Sequence, residues 1–153
     1  MNGIPYNEKV KVKLSAHGSW RHQYHIVWIP KYRRNVLKLG VKTYAQRGID
    51  EIETYHPEVE VIKYNVQIDH VHLIIEIPPK YSVASIVGKI KQNSSRKIRE
   101  RFEWLNKVYK PGIFWSPGYF SSTVGLNEAQ IKKYVEFQEK VDKEQFQMEL
   151  FEL

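Results

Sequence analysis

The 153-residue sequence contains no cysteine, which excludes a disulfide framework and any metal site built on thiolates. It has no apolar run long enough to span a bilayer, so no membrane partner is expected. Its opening residues, MNGIPYNEKVKVKLS, lack the apolar centre of a secretion signal, and a cytoplasmic protein is the plain expectation. Internal repeats, low-complexity tracts and linkers are also missing. One domain over residues 1–153 is therefore expected, with 1–18 as a polar lead-in and 143–153 as a charged C-terminal tail.

Acidic residues are in deficit, at 17 against 24 Lys and Arg, for a net charge of +7. The excess is concentrated. Between Lys80 and Lys110 nine bases face only Glu100 and Glu103, which matches the excess of the whole chain. Such a stretch suits a polyanion, most simply nucleic acid, and the ten Tyr, four Trp and six Phe could stack on bases. A charge run is also what a solvated helix face looks like.

Periodicity gives a coarse order of elements. From Trp20 to Ile29 the chain alternates, with Tyr24, Ile26 and Trp28 on one face and His25, Val27 and Ile29 on the other. Both faces are largely apolar, as in an interior strand. Val41 to Tyr55 reads as a helix with Val41, Tyr44, Ala45, Ile52 and Tyr55 inward, weakened at Gly48 and stopped at His56-Pro57. Val59 and Val61 begin a second strand, and Val66 to Ile77 bends at Ile68-Asp69 into a third. Ser82 is placed to cap a long helix with the stripe Val83, Ile86, Val87, Ile90 and Ile98. Arg101 to Lys110 connects to a strand over Ile113 to Val124, interrupted at Pro117-Gly118. Asn127 and Gln130 form a capping box for a last helix. This order predicts an α+β fold, the ferredoxin-like split βαβ arrangement, with an antiparallel sheet, helices on one face and an extra C-terminal helix.

Two constellations carry possible chemistry. In the third strand His70 and His72 share a face, with roughly 6.5 Å between their Cα atoms, so both rings can converge on one cation. On the last helix Ile131, Tyr134, Val135 and Gln138 fall on one face, with Tyr134 and Gln138 about 6 Å apart along the axis. Each has a plainer reading, as two polar residues on a half-exposed strand and as a packed Tyr beside a rim Gln.

Together these residues match a family. Asp69-His70-Val71-His72, Lys80-Tyr81-Ser82-Val83, Phe114-Trp115-Ser116 with Gly118-Tyr119-Phe120, and Tyr134-Val135-Glu136-Phe137-Gln138 closely resemble the single-tyrosine HUH transposases of small bacterial and archaeal insertion sequences. The first strand through Lys31-Tyr32-Arg33-Arg34 resembles them too, so the likeness runs from about Trp20 to Lys140.

The resemblance implies that Tyr134 is the nucleophile of a DNA transposase and that His70, His72 and Gln138 hold Mg²⁺ or Mn²⁺, although two imidazoles would also accept Zn²⁺. It implies single-stranded DNA with hairpin ends as substrate, a 5′-phosphotyrosine intermediate and no nucleotide cofactor. It also implies a homodimer in which the tyrosine helix of one subunit serves the histidines of the other, with Gly125 as a candidate hinge. Asp69 is a candidate partner for a ligand histidine. Candidate phosphate contacts are Lys31, Arg33 and Arg34 in the turn and Lys89, Lys91, Arg96, Lys97 and Arg99 on the long helix; Tyr32, Trp115, Tyr119 and Phe120 are candidate stacking residues. Three other readings stand beside this one. They are a non-catalytic RNA- or DNA-binding module of similar fold, a related HUH nickase or repeat-processing enzyme, and a hydrolase using metal-bound water.

Overall fold

A computed structural model of the chain describes residues 13–15, 18–20, 22–123, 125 and 127–151. Strands β1 (Lys13–Ser15) and β2 (Gly18–Trp20) pair as a short antiparallel ribbon. Part of the expected lead-in is thus a hairpin, while residues 1–12 lie outside the described residues. The main sheet is formed by β3 (Gln23–Trp28), β4 (Glu60–Val66), β5 (Val71–Glu76) and β6 (Phe120–Ser122), in the order β4-β5-β3-β6. Every neighbouring pair is antiparallel. The helices are α1 (Leu39–Asp50), α2 (Ile52–Tyr55), α3 (Val83–Arg101) and α4 (Glu128–Phe151). This is the split βαβ topology with a helix appended. Among the described residues no helix is long and apolar enough to cross a membrane.

Alternation along the strands divides the sheet into two chemically different faces. Ile26 pairs with Leu73 and Trp28 with Val71, and this face meets α1 and α3 in the main core, with Val41, Ala45, Ile49, Ile86, Val87 and Ile90 buried against it. On the opposite face Val27 pairs with His72, and Val27 and Ile29 pack with Val135 of α4. The side chain of β5 residue 72 therefore belongs to the α4 side because side chains on a strand alternate.

Local signals set the element ends. The Ser82 hydroxyl accepts from the Ser85 amide at 3.0 Å. Asn127 accepts from the Gln130 amide at 2.9 Å, while Gln130 accepts from the Asn127 amide at 3.2 Å, completing the capping box. Between β4 and β5 the Gln67 amide donates to the His70 carbonyl at 2.8 Å, closing the expected bend.

Three expectations are corrected. The helix expected over Val41 to Tyr55 breaks at Glu51, and Tyr55 is 51% exposed rather than inward. The strand expected over Ile113 to Val124 pairs only at Phe120–Ser122; Trp115 makes an isolated bridge to Pro30, and Gly118 turns the chain at φ +85°. The Lys91 ammonium donates to the Ser116 and Gly118 carbonyls at 2.7 and 2.8 Å, so this irregular segment is held from α3. Finally, the expected tail continues α4 to Phe151, because Phe146 packs edge-on against the Tyr32 ring at 5.6 Å.

Gly48 strengthens the fold where the sequence suggested weakness. A Cβ built there would lie 2.5 Å from the Ser94 Cβ, so α1 and α3 cross at a contact that admits only glycine without movement. Gly88, on the exposed side of α3, would meet nothing within 4 Å. Alanine gains about 1 kcal/mol over glycine in a helix, whereas overpacking costs about 1–3 kcal/mol. Urea denaturation should therefore show Gly88→Ala stabilised and Gly48→Ala destabilised; equal signs would contradict the close crossing.

Burial lowers the Lys91 pKa to about 8, with Asp142 partly opposing the shift. The unfolded chain keeps that proton up to about 10.5, so stability rises with pH between those values. The stability of the wild type relative to Lys91→Met should grow from pH 8 to about pH 10 in urea melts. A flat difference would mean that the ammonium is not desolvated.

Candidate metal and nucleophile site

His70 and His72 stand at the start of β5 and face α4. The His70 Nδ1 lies 2.9 Å from Asp69 Oδ1. A carboxylate only accepts, so Nδ1 carries the hydrogen and Nε2 is the ring nitrogen not engaged by Asp69. Among the described residues the buried His72 Nε2 has no hydrogen-bond partner. Burial lowers its pKa, and the nearby charges of His25, His70 and Lys63 act in the same direction, so this imidazole is held neutral. The ring of His25 on β3 lies 6.2 Å from that of His72, and burial lowers its pKa as well.

These histidines open onto a cleft of about 650 Å³ whose other wall is the first two turns of α4, through Glu128, Ile131, Lys132 and Val135. Tyr134 does not line that cleft. Its ring sits with Phe120 at 5.9 Å, beside Val27, Ile29 and Val135. The hydroxyl is buried and has no hydrogen-bond partner among the described residues. Burial raises its pKa strongly, with the Asp142 carboxylate adding to the shift, so the phenol stays protonated in this conformation.

Gln138 is buried one turn beyond, outside the cleft lining. Its Nε2 donates to Asp142 Oδ1 at 3.3 Å. Because that carboxylate can only accept, the amide orientation is fixed and the carbonyl oxygen remains as the end able to bind a cation. Asp142 is fully buried, and it also accepts from Lys31 Nζ at 3.3 Å, the Tyr32 amide at 2.9 Å and Ser116 Oγ at 2.9 Å. Sequence reasoning missed this residue. The signal was the next step of the helix face, four residues past Gln138.

The donor set fits a divalent cation. His70 and His72 each offer a ring nitrogen, that of His72 buried without a hydrogen-bond partner among the described residues, and the Gln138 carbonyl is oriented by the Asp142 carboxylate. Among the described residues no three His, Cys, Asp or Glu side chains gather to hold a metal, so a third protein ligand beside the two histidines would have to be of another kind, such as the Gln138 carbonyl, which lies outside the cleft they line.

The candidate phosphate contacts separate by burial. Lys31 is buried, and its ammonium is taken by Asp142 and Gln145, each at 3.3 Å. Lys91 is engaged with two carbonyls, Lys97 pairs with Glu51, and Arg99 donates to Ser95 Oγ at 3.2 Å. Arg33 bridges two carboxylates, Asp69 at 3.5 Å and Glu139 at 2.9 Å. Arg34, Lys89 and Arg96 are exposed. Of the stacking candidates Trp115 is a core residue, donating to Ser94 Oγ at 2.9 Å, and Phe120 covers Tyr134. Tyr32 and Tyr119 are partly exposed, while Gly125 is exposed with open space around a would-be Cβ.

Comparison with known proteins bears on the family and the fold. The family model described as "Transposase IS200 like" matches residues 18–138. The chain is 39% identical over 131 residues to the transposase for insertion sequence element IS200 of Salmonella typhimurium, covering 86% of each protein. It is 34% identical over 117 residues to the ISDra2 transposase TnpA of Deinococcus radiodurans, covering 76% of this chain and 83% of that one. A crystal structure from Deinococcus radiodurans described as a transposase superposes with a TM-score of 0.72 at 28% identity, over 82% of this chain and 97% of the other. The fold is also that of a REP-associated tyrosine transposase solved bound to a REP hairpin, with a TM-score of 0.51 at 16% identity over 80% and 68% of the two chains. With most of its length matched in sequence and fold alike, the chain belongs to the IS200-like transposase family.

Proposed function

We propose that this transposase cleaves and rejoins single-stranded DNA at hairpin-marked ends of an insertion sequence through a phosphotyrosine formed at Tyr134. The observation that carries this reading is the pair of buried polar atoms without partners, His72 Nε2 and the Tyr134 hydroxyl, on the face shared by β3, β5 and α4. Unpaired buried polar groups are costly, and an imidazole nitrogen and a phenol left without partners on one face suit a site completed by a cation and a phosphate once Tyr134 is brought to the histidines.

His70, His72 and Gln138 would hold Mg²⁺ or Mn²⁺, which when bound draws charge from a non-bridging phosphate oxygen and fixes the phosphorus for in-line attack. Tyr134 supplies the nucleophilic oxygen. As its bond to phosphorus forms the phenol loses its proton, the bond from phosphorus to the 3′ oxygen breaks, and that oxygen leaves as a 3′-hydroxyl after gaining a proton. The 5′ phosphate stays on the tyrosine. A DNA 3′-hydroxyl later reverses the step and releases Tyr134 as a phenol, so the ester energy is conserved and no nucleotide is consumed. The exposed cations Arg34, Lys89 and Arg96 support the approach of the phosphate backbone.

Attack requires Tyr134 to leave its apolar seat against Phe120. The exposed Gly125 immediately precedes α4 and offers backbone freedom for a movement of the helix. Exchange of α4 between two subunits is one form of that movement, so a homodimer is part of the proposal.

Incubation with hairpin-bearing single-stranded DNA and Mn²⁺ should give a covalent protein–DNA adduct, located at Tyr134 by peptide mapping. Tyr134→Phe and His70→Ala should each lower adduct yield by at least about a hundredfold, and mixing the two should restore cleavage if the helix is exchanged. An adduct on another residue, or none with any divalent metal, would remove the reading in favour of a binding module.

A further inference from the structure

Between the helix of the nucleophile and the histidines lies a chain of ionic contacts that the mechanism above does not use. Glu139 follows Gln138 on α4, and its carboxylate lies 2.9 Å from Arg33 Nη2. The same guanidinium places Nε 3.5 Å from Asp69 Oδ2, and the other oxygen of Asp69 holds His70 Nδ1 at 2.9 Å. One arginine therefore spans the tyrosine helix and the carboxylate that orients a candidate metal ligand.

The backbone beneath Arg33 makes this bridge conditional. Tyr32 and Arg33 lie in the left-handed region, at φ +62° and +50°. Non-glycine residues pay a steric penalty there and keep such angles only where surrounding contacts enforce them. Contacts from α4 add to those that hold the turn from elsewhere: Asp142 accepts the Tyr32 amide and the Lys31 ammonium and Phe146 packs on the Tyr32 ring, while the Lys31 amide donates to the Phe114 carbonyl, the Tyr109 hydroxyl donates to the Lys31 carbonyl and the Tyr109 ring stacks on Tyr32. When α4 is seated, the turn is held and Arg33 reaches Asp69. When α4 leaves, its contacts to the turn go with it, Arg33 loses Glu139, and the guanidinium is no longer held from the helix side against Asp69.

We infer that Arg33 is a positioning residue that couples the seating of the tyrosine helix to the orientation of His70, so that the chain's affinity for a divalent cation reports whether α4 is docked. The inference rests on the proposed His70–His72 metal site. It concerns residues beyond the ligands themselves, with Glu139 as the contact on α4 and Asp69 as the contact on the hairpin. A carboxylate that orients a ligand histidine is commonly worth about ten- to a hundredfold in metal affinity, and a bridge that fixes this carboxylate acts through the same term.

The test is titration of the DNA-free chain with Mn²⁺, read by calorimetry, with no cleavage involved. Arg33→Gln and Glu139→Gln should each weaken Mn²⁺ binding about tenfold, and the double variant should be no weaker than Arg33→Gln alone, because both break one path. Lys143→Ala removes the other partner of Glu139, at 2.9 Å, without touching Arg33, and should leave the affinity unchanged. Glu139 lies on the partly exposed rim of α4, so Glu139→Gln carries the test should Arg33→Gln fail to fold. Binding lost in His70→Ala but unchanged in Glu139→Gln would overturn the coupling and leave the metal site standing. Binding that His70→Ala leaves intact would overturn the metal site and the coupling together.

Discussion

The carboxylate of Asp142 is the point on which the arrangement of the second sheet face depends. A fully buried charge is tolerated only when it is paired and its lone pairs are satisfied. Here the donors arrive from three separate parts of the chain: Lys31 and the Tyr32 amide from the turn after β3, Ser116 from the segment before β6, and Gln138 from one turn earlier on α4. The apolar contact between α4 and the sheet is small, centred on Val27, Ile29 and Val135. A polar clamp of this kind fixes the rotation and register of a helix that so few buried side chains would leave free to slide. It also fixes which end of the Gln138 amide faces away.

The two faces of the sheet divide the work of the molecule. The face under α1 and α3 is a dry core closed by aliphatic residues and by the Gly48–Ser94 crossing, and its role is to hold β3 and β5 in register. The opposite face carries His25, His72, Tyr134 and Gln138, where polar atoms are buried among few apolar partners. On that face the His72 Nε2 and the Tyr134 hydroxyl are buried without hydrogen-bond partners among the described residues, and burial shifts the pKa values of His25, His72 and Tyr134 toward their neutral forms. Burial raises the Tyr134 phenol pKa and lowers that of His72, so on the proposed reading the tyrosine must change its surroundings before it reacts.

Much of this was legible in the sequence. Strand alternation put His70 and His72 on the face away from the main core, and the 3.6-residue period put Ile131, Tyr134, Val135 and Gln138 on one side of α4. Ser82 and Asn127 announced their helices through the chemistry of capping. What escaped involves contacts between residues far apart in the chain. The basic stretch from Lys80 to Lys110 reads as a uniform polyanion surface, yet Lys91 and Lys97 are drawn into local contacts, and Lys31 in the turn is sealed against Asp142. Charge is visible in a sequence; the partner that neutralises it is not. Glu139 lies within the stretch of resemblance but in none of the motifs that carry it, and Asp142 lies beyond that stretch and beyond the family-model match, which ends at residue 138.

By itself the sequence determined the order of elements, the two-faced sheet and the identity of the chemical groups, because periodicity, capping and residue type are local properties of the chain. The tertiary structure decided that Gly48 is a contact rather than a weak point, that the tail is the end of a docked helix, and that Arg33 stands between two carboxylates. Each of those depends on distances between residues tens of positions apart, and only the closed fold fixes them.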